Sequence, residues 1–412
     1  MTTNSMLFED VPLATTEVLG DYQETGLIAH HYGDLRRSRV RCQRITGTMW
    51  LVSAHPWQAI DFCYLGGVRI QGWSAVRRTD IDKVTRQYVQ LNTAAPPNLT
   101  VEVSGQAKMN PISGKLLENP DEIIEDIAKL GGKTLSFPLF REACNQRNLK
   151  VAGSVYRAQS IRAYIKEIID SCGAKWLGDN IVFYPKTIDY AAEINFPSEL
   201  NHTLSLEDVA GTISLFYGWN HARDQNGGFL QMEAVGSRYT NKAVYEAKWL
   251  RQPKDAEALA TRLLGKRAGQ FIKTTAKVPG VVRAGDDVIL RSRSYQGPMT
   301  ILTAQNNGVE TDITGEVIIS AYTNLRLTRF SAEVLSKRGE RIEVSFSNGQ
   351  AELTILDTQG RAMAGIFVAL DQGTAKKTND KGSVSFVTSP GEHQIALSGP
   401  GIDPEPFPIY IK

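Results

Sequence analysis

Alternating apolar and polar positions dominate the first part of the chain. The clearest example, within residues 35–75, is RSRVRCQRITGTMWLV, where Val40, Cys42 and Ile45 interleave with arginines. A period of two places successive side chains on opposite faces, so the pattern predicts half-buried antiparallel strands with one basic face. The strand-like segments VTRQYVQLN and LTVEVSGQA follow, separated by the breaker TAAPPN. We therefore predict a small β-barrel or sandwich over residues 1–115.

The stretch LLENPDEIIEDIAKLGGKT, from Leu116 to Thr134, changes this period to that of a helix. Asn119 is a good N-cap, Pro120 suits the first helical position, and Glu122 stands three residues after the cap, as in a capping box. An apolar stripe and a terminating glycine pair complete the pattern: Ile123, Ile124, Ile127 and Leu130, then Gly131 and Gly132. The stretch predicts one well-defined helix.

Similar signals mark two further helices. A helix is predicted after Ser160, closing at Cys172 and Gly173, and a hairpin that turns at residues 178–180 should follow it. A third helix is predicted over about residues 255–266, between strand blocks. From about residue 348 the chain has short strands at regular intervals with turn clusters between them, a pattern typical of an Ig-like sandwich.

These elements give an α+β, β-rich fold class with four predicted domains. The first is an N-terminal β-barrel over residues 1–115, and the second is a helix-containing α+β insert over 116–190. A second β-barrel domain with one helix occupies 191–347, and an Ig-like β-sandwich occupies 348–412. A chain of this length is expected to hold several domains.

Composition is that of an ordinary soluble globular protein. Hydrophobic residues make up 42% and charged residues 22%, and the formal net charge of +2 gives no field that would by itself indicate nucleic acid. The first residues show no basic flank followed by an apolar run, and no apolar run approaches the roughly 18 residues of a membrane span. We expect synthesis and folding in a cytoplasm.

Cysteine and histidine positions do not favour metal binding. The four cysteines are widely separated and form no C-x-x-C pair, which favours buried reduced thiols: Cys42, Cys63, Cys144 and Cys172. Adjacent histidines in a strand point to opposite faces, so His30 and His31 are a poor basis for a metal site.

The GGKT sequence that ends at Thr134 resembles the end of a phosphate-binding loop. Such a loop needs a glycine five positions before Gly132, where this chain has Ile127, and it must precede a helix. Here Lys133 follows a helix, and the partial negative charge of a helix C-terminus repels phosphate. We do not expect nucleotide binding there.

Five carboxylates crowd the same helix: Glu118, Asp121, Glu122, Glu125 and Asp126. Carboxylate pairs can cleave glycosides or bind divalent metals. Acidic residues in a first helical turn also stabilise the helix dipole, and the others lie away from the isoleucine stripe. We expect a solvated or interface-facing helix surface.

The remaining candidates also have structural interpretations. The densest basic run lacks interleaved aromatic residues for stacking on bases, so a surface patch or subunit interface is favoured over nucleic acid: Arg36, Arg37, Arg39, Arg41 and Arg44. The segment from Asp224 to Gly228 does not follow the calcium-loop spacing and predicts a hairpin turn. Trp219 is expected to pack in the core or an interface rather than to bind a sugar.

Catalytic signatures are missing from the sequence. It contains no G-x-S-x-G elbow, no H-E-x-x-H and no complete dinucleotide fingerprint. We therefore predict no catalytic, cofactor-binding or metal-binding residue, no cofactor, and no enzymatic activity.

The order of elements resembles the baseplate or tail-tip hub proteins of tailed phages, in particular siphophage-like tail hubs. In that family a motif like Asn-Pro-x-x-Ile-Ile opens a helix after the first barrel strands, and a later helix precedes a Val-Pro-Gly strand and a Gly-Asp-x-Val turn. The matching residues are Asn119, Pro120, Ile123, Ile124, then Ala256, Leu259, Ala260, Leu263, Leu264, then Val278, Pro279, Gly280, Gly285, Asp286 and Val288. The resemblance covers roughly residues 40–300.

This resemblance implies a virion protein at the tail tip, assembled in the cytoplasm of a bacterial host. It implies a homo-oligomer, a trimer whose six barrel-like domains match a sixfold tube ring and close the tail tube. The implied partners are a distal tail or tube ring and a central fibre or plug. The C-terminal module resembles Ig-like domains that decorate phage structural proteins, so contact with the host surface is one expected role.

A second hypothesis from the same sequence is a cell-wall or polysaccharide hydrolase with a C-terminal binding module. The carboxylate cluster and the appended sandwich support it, because many two-part hydrolases combine such features. An adhesin in which residues 348–412 contact a host surface is a third.

Overall fold

A computed structural model describes residues 27–411 of the chain. It leaves undescribed residues 37, 158, 179, 184–191, 196–197, 204–207, 223, 292–295, 336–339, 348, 358–359, 390, 400–401 and 403–405 within that range. The described part is rich in β-structure, with several separate sheets and four helices. The β-rich α+β class predicted from the sequence is confirmed at this level.

The first β block consists of short antiparallel strands. They are β1 (His30–Tyr32), β2 (Val40–Arg41), β3 (Gln43–Arg44), β4 (Met49–Ser53), β5 (Trp57–Leu65), β6 (Val68–Arg69), β7 (Trp73–Thr79), β8 (Thr85–Leu91) and β9 (Val101–Lys108). Two four-stranded sheets, ordered β2-β9-β5-β6 and β3-β4-β8-β7, enclose a shared core that includes Trp50, Trp57 and Val103. The inward alternation predicted for Val40 and Cys42 is confirmed, since both are buried.

The insert combines three helices with three short strands. Its elements are α1 (Pro120–Leu130), α2 (Pro138–Gln146), β10 (Gly153–Val155), α3 (Ile161–Ser171), β11 (Ala174–Leu177) and β12 (Asn180–Phe183). Helix α1 begins as predicted, because the Asn119 side chain accepts a hydrogen bond from the Asp121 N–H, and it ends at Gly131. Helix α3 begins at a second side-chain cap, Ser160. Strands β11 and β12 form the predicted hairpin.

Helix α2 and a strand pairing between blocks were not predicted from the sequence. Strand β1 of the first block pairs antiparallel with β10 of the insert, with His31 opposite Ser154. A backbone ladder therefore joins two regions more than 100 residues apart in the chain. The boundaries of the four predicted domains remain predictions, but this pairing couples the first two units directly.

The second β block contains the longest strands. They are β13 (Ala192–Asn195), β14 (Ser198–Thr203), β15 (Thr212–Asn220), β16 (Gln225–Ala234), β17 (Lys242–Ala247), β18 (Gln270–Pro279), β19 (Asp287–Arg291), β20 (Gln296–Asn306), β21 (Glu310–Ser320) and β22 (Leu325–Leu335). Helix α4 (Pro253–Ala268) lies between β17 and β18 and extends past both predicted ends. Its apolar residues pack against β15, β16, β18 and β22.

The six-stranded sheet of this block must curl. Its order is β13-β19-β20-β21-β18-β14, so β13 and β14 form its two edges. Only two residues link Asn195 to Ser198, which limits their Cα separation to about 11 Å. A flat sheet would hold its edge strands about 24 Å apart. The edges therefore approach each other around a buried core that includes Val278, Val288 and Met299.

The C-terminal strands continue a sheet of the second block. They are β23 (Arg341–Ser347), β24 (Gln350–Leu356), β25 (Phe367–Leu370), β26 (Lys376–Lys377), β27 (Ser383–Val387), β28 (Gly391–Ser398) and β29 (Phe407–Ile411). A seven-stranded sheet runs β17-β15-β16-β22-β23-β24-β27, and a four-stranded sheet runs β26-β25-β28-β29. The predicted boundary at residue 348 lies inside the β23–β24 hairpin, where Ser347 pairs with Gln350.

Candidate functional site

The carboxylates of α1 fasten the helix to its neighbours. Asp126 accepts hydrogen bonds from the Lys108 ammonium at 2.6 Å and from the Tyr32 hydroxyl at 2.9 Å. Lys108 and Tyr32 belong to β9 and β1, so this contact joins the insert to the first β block. Glu118 makes an ion pair with Lys150 on the other side of the helix start.

Asp121 is fully buried, which corrects the expectation of a solvated helix surface. Its two carboxylate oxygens accept from the Phe137 N–H at 2.9 Å and from the Arg141 Nε–H at 2.7 Å. Arg141 also donates to Glu125 at 2.8 Å. The solvated alternative was wrong for Asp121 because α2, which the sequence pattern did not reveal, packs on α1 and covers its first turn.

These contacts leave little for carboxylate catalysis to use. A glycosidase needs one carboxylic acid that keeps its proton and a second that faces the same substrate bond. Burial raises the pKa of Asp121, but its carboxylate, like those of Glu125 and Asp126, is held by a cation of a neighbouring element. We call these three carboxylates with Lys108 and Arg141 the α1 clamp, and its arrangement holds helix, insert and first β block together.

A nucleophile and a base are in contact at the β1–β10 junction. His31 Nδ1 lies 2.5 Å from the Ser154 hydroxyl, and His31 Nε2 lies 3.0 Å from the Val52 carbonyl oxygen. Because a carbonyl only accepts, Nε2 carries the proton and Nδ1 accepts from the serine. Burial lowers the pKa of His31 to about 3, and both side chains are almost wholly buried. Such a weak, enclosed base is suited to structure rather than to activating a nucleophile.

Other buried histidines surround this junction. Burial lowers the pKa of His30 to about 4, with the Lys108 charge adding to the effect, and it holds the pKa of His55 and His221 well below the usual range. His55 Nε2 accepts from the His31 backbone N–H at 3.2 Å. The junction is therefore built from neutral imidazole rings at pH 7.

The described side chains of the arginine run make contacts within the protein. Arg39 is buried, with its guanidinium 3.8 Å from the Tyr64 ring centre and its Nη1–H donating to the Gly67 carbonyl at 2.9 Å. Arg41 donates to the Ala222 carbonyl, also at 2.9 Å. Arg36 pairs with Asp34 and Arg44 lies over the Trp50 ring, while the side chain of Arg37 is outside the described residues. The prediction of a basic surface is wrong for Arg39, because its guanidinium is buried against the Tyr64 ring and close to the Glu102 carboxylate.

The predicted hairpin at Asp224 is confirmed. Strands β15 and β16 pair up to Asn220 and Gln225, and Asp224 takes a left-handed backbone conformation with φ of 57°. Its carboxylate makes an ion pair with Arg157 and, among the described residues, belongs to no group of side chains placed to hold a metal ion. Trp219 donates from Nε1 to the Tyr156 hydroxyl at 3.2 Å and lies between the cationic groups of Arg157 and Lys248. Packing accounts for both residues.

The cysteines are free and buried, as expected: Cys42, Cys63, Cys144 and Cys172. Across residues 27–411, gaps aside, no group of three His, Cys, Asp or Glu side chains is placed to hold a metal ion. None of the described helices has the length and apolarity to cross a bilayer.

Strands β7 and β17 are among the edge strands of the described sheets. Strand β7 ends the β3-β4-β8-β7 sheet, and β17 ends the seven-stranded sheet. In β7 the hydrogen-bonded pairs with β8 fall on even-numbered residues, as the flanking bonds from Asn92 to Gly72 and from Asp80 to Val84 show. The backbone groups of Trp73, Ala75, Arg77 and Thr79 therefore face away from the sheet. Such rows of unpaired groups can pair with another strand.

No family model and no curated protein matches the sequence. Among solved structures, the chain is similar to one from the virion of a native gene transfer agent particle, at 12% identity over 76% of this chain and 89% of that one, with a TM-score of 0.49. It is also similar to the 43 kDa tail protein of prophage MuSo2 from Shewanella oneidensis, at 9% identity over 73% of this chain and 96% of that one, with a TM-score of 0.31. The tail protein from Neisseria meningitidis MC58 is similar at 8% identity over 72% of this chain and 98% of that one, with a TM-score of 0.33. None of these likenesses is close enough to assign the chain to a family.

We predict that Asp121→Ala lowers the free energy of unfolding by about 3 kcal/mol, because it leaves the buried Phe137 N–H without its acceptor and Arg141 without its partner. Asp121→Asn should cost less, since an amide oxygen can still accept from Phe137. Glu122→Gln, on the same helical turn, keeps the capping-box acceptor and is the control, which should change the value by no more than about 0.5 kcal/mol. Urea unfolding measures all three variants, and equal losses for Asp121→Ala and Glu122→Gln would contradict the clamp.

We predict that acid weakens the histidine junction. The unfolded chain protonates histidine near pH 6.5, whereas folded His30 and His31 protonate near pH 4 and pH 3. Between these values the unfolded state binds more protons than the folded state. The free energy of unfolding therefore decreases as the pH is lowered, by up to about 1.4 kcal/mol per pH unit for each histidine. His31→Gln should remove one such contribution between pH 6 and pH 4. If the free energy of unfolding, measured with urea, depended on pH equally in His31→Gln and in the unaltered chain across that range, this assignment would be refuted.

Proposed function

We propose that this chain is a structural component of a bacteriophage tail tip or baseplate. In this role it is the hub that closes the tail tube and links it to the host-recognition fibre or plug. The observation that carries the proposal is the placement of the residues that resemble the hub family. They open α1 directly after one β block, form the buried side of α4, and shape a turn at the end of the curled six-stranded sheet.

The α4 and turn residues support this placement in detail. Ala256, Leu259 and Leu264 are buried against the second β block. Gly285 has a φ of 95°, which only glycine adopts readily. Asp286 accepts from the Arg283 N–H at 2.7 Å and so caps the turn. These five residues thus have structural roles, three in the packing of α4 on the sheets and two in the turn before β19.

Assembly of the proposed hub would use both β blocks. In the arrangement that the resemblance implies, three copies surround an axis, and their six barrel-like domains match a sixfold tube ring. Closed rings of identical copies need complementary surfaces on each copy. The open edges of β7 and β17 are suited to this, because backbone pairing between copies gives affinity without a cleft.

The C-terminal strands would carry outward contacts. Val387, at the end of β27, is 82% exposed, and Phe367, at the start of β25, is 46% exposed. We place the fibre, the plug or the host surface against this part, and the distal tail or tube ring against the β blocks. The proposed location is the tail tip of the virion, after assembly in the cytoplasm of the bacterial host.

We predict that Ala75→Pro blocks assembly without unfolding the chain. The Ala75 N–H faces away from β8, so proline removes no bond within the sheet but removes a donor from the open edge. The variant should fold, as circular dichroism would show, yet be lost from tail tips when it is produced with the other tail proteins. Ala75→Thr keeps the N–H and is the matched control. Normal incorporation of the proline variant would exclude this edge from the interface.

A further inference from the structure

Strand β17 ends the seven-stranded sheet and pairs in parallel with β15. The Asn241 carbonyl, directly before β17, accepts from the Thr212 N–H of β15 at 3.2 Å. Because the backbone groups of successive residues point to opposite sides of a strand, those of Lys242, Val244 and Glu246 face away from β15. Among the described residues, no strand pairs with this side of β17. Three residues therefore offer N–H and carbonyl groups to a further strand.

The side chains of the same three residues point to the outer face of the sheet. Lys242, Val244 and Glu246 are all exposed, and Val244 is 65% exposed. The alternate residues of β17 face α4, where the Tyr245 ring centre lies 5.3 Å from the Arg267 guanidinium. The edge strand thus carries a short outer row in which a cation, an apolar side chain and a carboxylate follow at equal spacing.

This outer row is complementary to itself. In an antiparallel pair of two copies, a twofold axis at Val244 places Val244 opposite Val244, and Lys242 opposite Glu246 of the second copy. Opposite residues of an antiparallel pair have side chains on the same face with Cβ atoms about 5 Å apart, so opposite charges at these positions attract. Both residues of each pair have outward-facing backbone groups, so each pair can exchange two hydrogen bonds.

Charge favours this register over its neighbours. A shift by two residues in one direction sets Lys242 against Lys248 of the second copy, and like charges directly opposite each other destabilise a sheet. A shift by two residues in the other direction sets Glu246 against Thr240 and Lys242 against Val244, which leaves both charges without a partner across the strands. Among these registers, the one with its axis at Val244 pairs both charges.

The Glu246 carboxylate can accept from a second cation. It lies 3.6 Å from the Lys248 ammonium of its own chain, and the Glu246 side chain is 52% exposed. An exposed ion pair of this kind contributes little to stability. A carboxylate has about four acceptor positions, so the contact with Lys248 leaves room for Lys242 of the second copy.

We propose that the free chain forms a twofold dimer through β17, in which two seven-stranded sheets join edge to edge at Val244. The partner is a second copy of this chain, because the order of charges along β17 matches its own reverse. The pairing covers an edge strand that would otherwise be a template for uncontrolled association. It does not depend on the proposed role in a phage tail, and the dimer must open before β17 can enter a ring.

Charge reversal tests the pairing by sedimentation equilibrium of the purified full chain. We expect a monomer–dimer equilibrium whose dissociation constant rises several-fold in Lys242→Glu, because glutamates then stand opposite each other in both outer pairs. The double variant Lys242→Glu, Glu246→Lys restores opposite charges in the reverse order and should restore the dissociation constant. Both positions are exposed, so the variants should fold, which circular dichroism checks.

The matched control for charge reversal is Lys381→Glu, since Lys381 is an exposed lysine far along the chain from β17. This variant should associate as the unaltered chain does. A chain that remains monomeric, equal dissociation constants in Lys242→Glu and Lys381→Glu, or a double variant as weak as Lys242→Glu would overturn the proposal.

A cysteine variant tests the position of the axis without changing charge. In Val244→Cys the two new thiols stand opposite each other with Cα atoms about 5.5 Å apart, which is within the range of a disulfide. The native cysteines are buried. Val387→Cys is the matched control, because Val387 is 82% exposed on β27, the other edge strand of the same sheet. We expect mild oxidation to give a covalent dimer several-fold faster with Val244→Cys, and equal rates would overturn the axis at Val244.

Discussion

The α1 clamp is the interaction on which the rest of the structure depends. It places Asp121, Glu125 and Asp126 against cations from α2 and β9, and it does so at the point where the first β block meets the insert. A buried carboxylate such as Asp121 is costly to desolvate, and only its hydrogen bonds and its ion pair offset that cost. Helix, insert and sheet must therefore fold together for any of these charges to be satisfied.

The histidine junction extends the same constraint. Strand β1 reaches its partner β10 only when the chain between them has folded, and His31 then bridges Val52 and Ser154. Neutral imidazole rings suit this place because each ring can donate on one side and accept on the other without carrying a charge. His31 and Ser154 thus help to hold the two units together.

Local signals in the sequence predicted local structure well. Asn119 and Ser160 cap helices as their positions suggested, and the turns at Asp224 and Gly285 follow from residues that tolerate or favour those conformations. Helix α2 was not predicted because it gives a weak sequence signal. Its N-cap residue, Phe137, has no side chain that could cap the helix, and the helix is only nine residues long.

Contacts between distant segments could not be predicted in this way. The burial of Asp121 depends on α2, and the burial of Arg39 depends on Tyr64 and Glu102, which lie on other strands. The β1–β10 ladder likewise combines residues far apart in the chain. Alternation and helical period describe which face of an element is apolar, but they do not say which other element covers it.

The proposed role in assembly agrees with this distribution of contacts. Residues that the sequence offered as candidates for catalysis or binding instead make ion pairs and hydrogen bonds between elements. The sheets have open edge strands that are suited to assembly. The most direct test is electron cryo-microscopy of intact tails from the phage or particle that encodes this chain. The account predicts three copies around the tube axis at the tail tip, with both β blocks in the ring that closes the tube. Tails that lack the chain, or that hold it away from the tip, would contradict it.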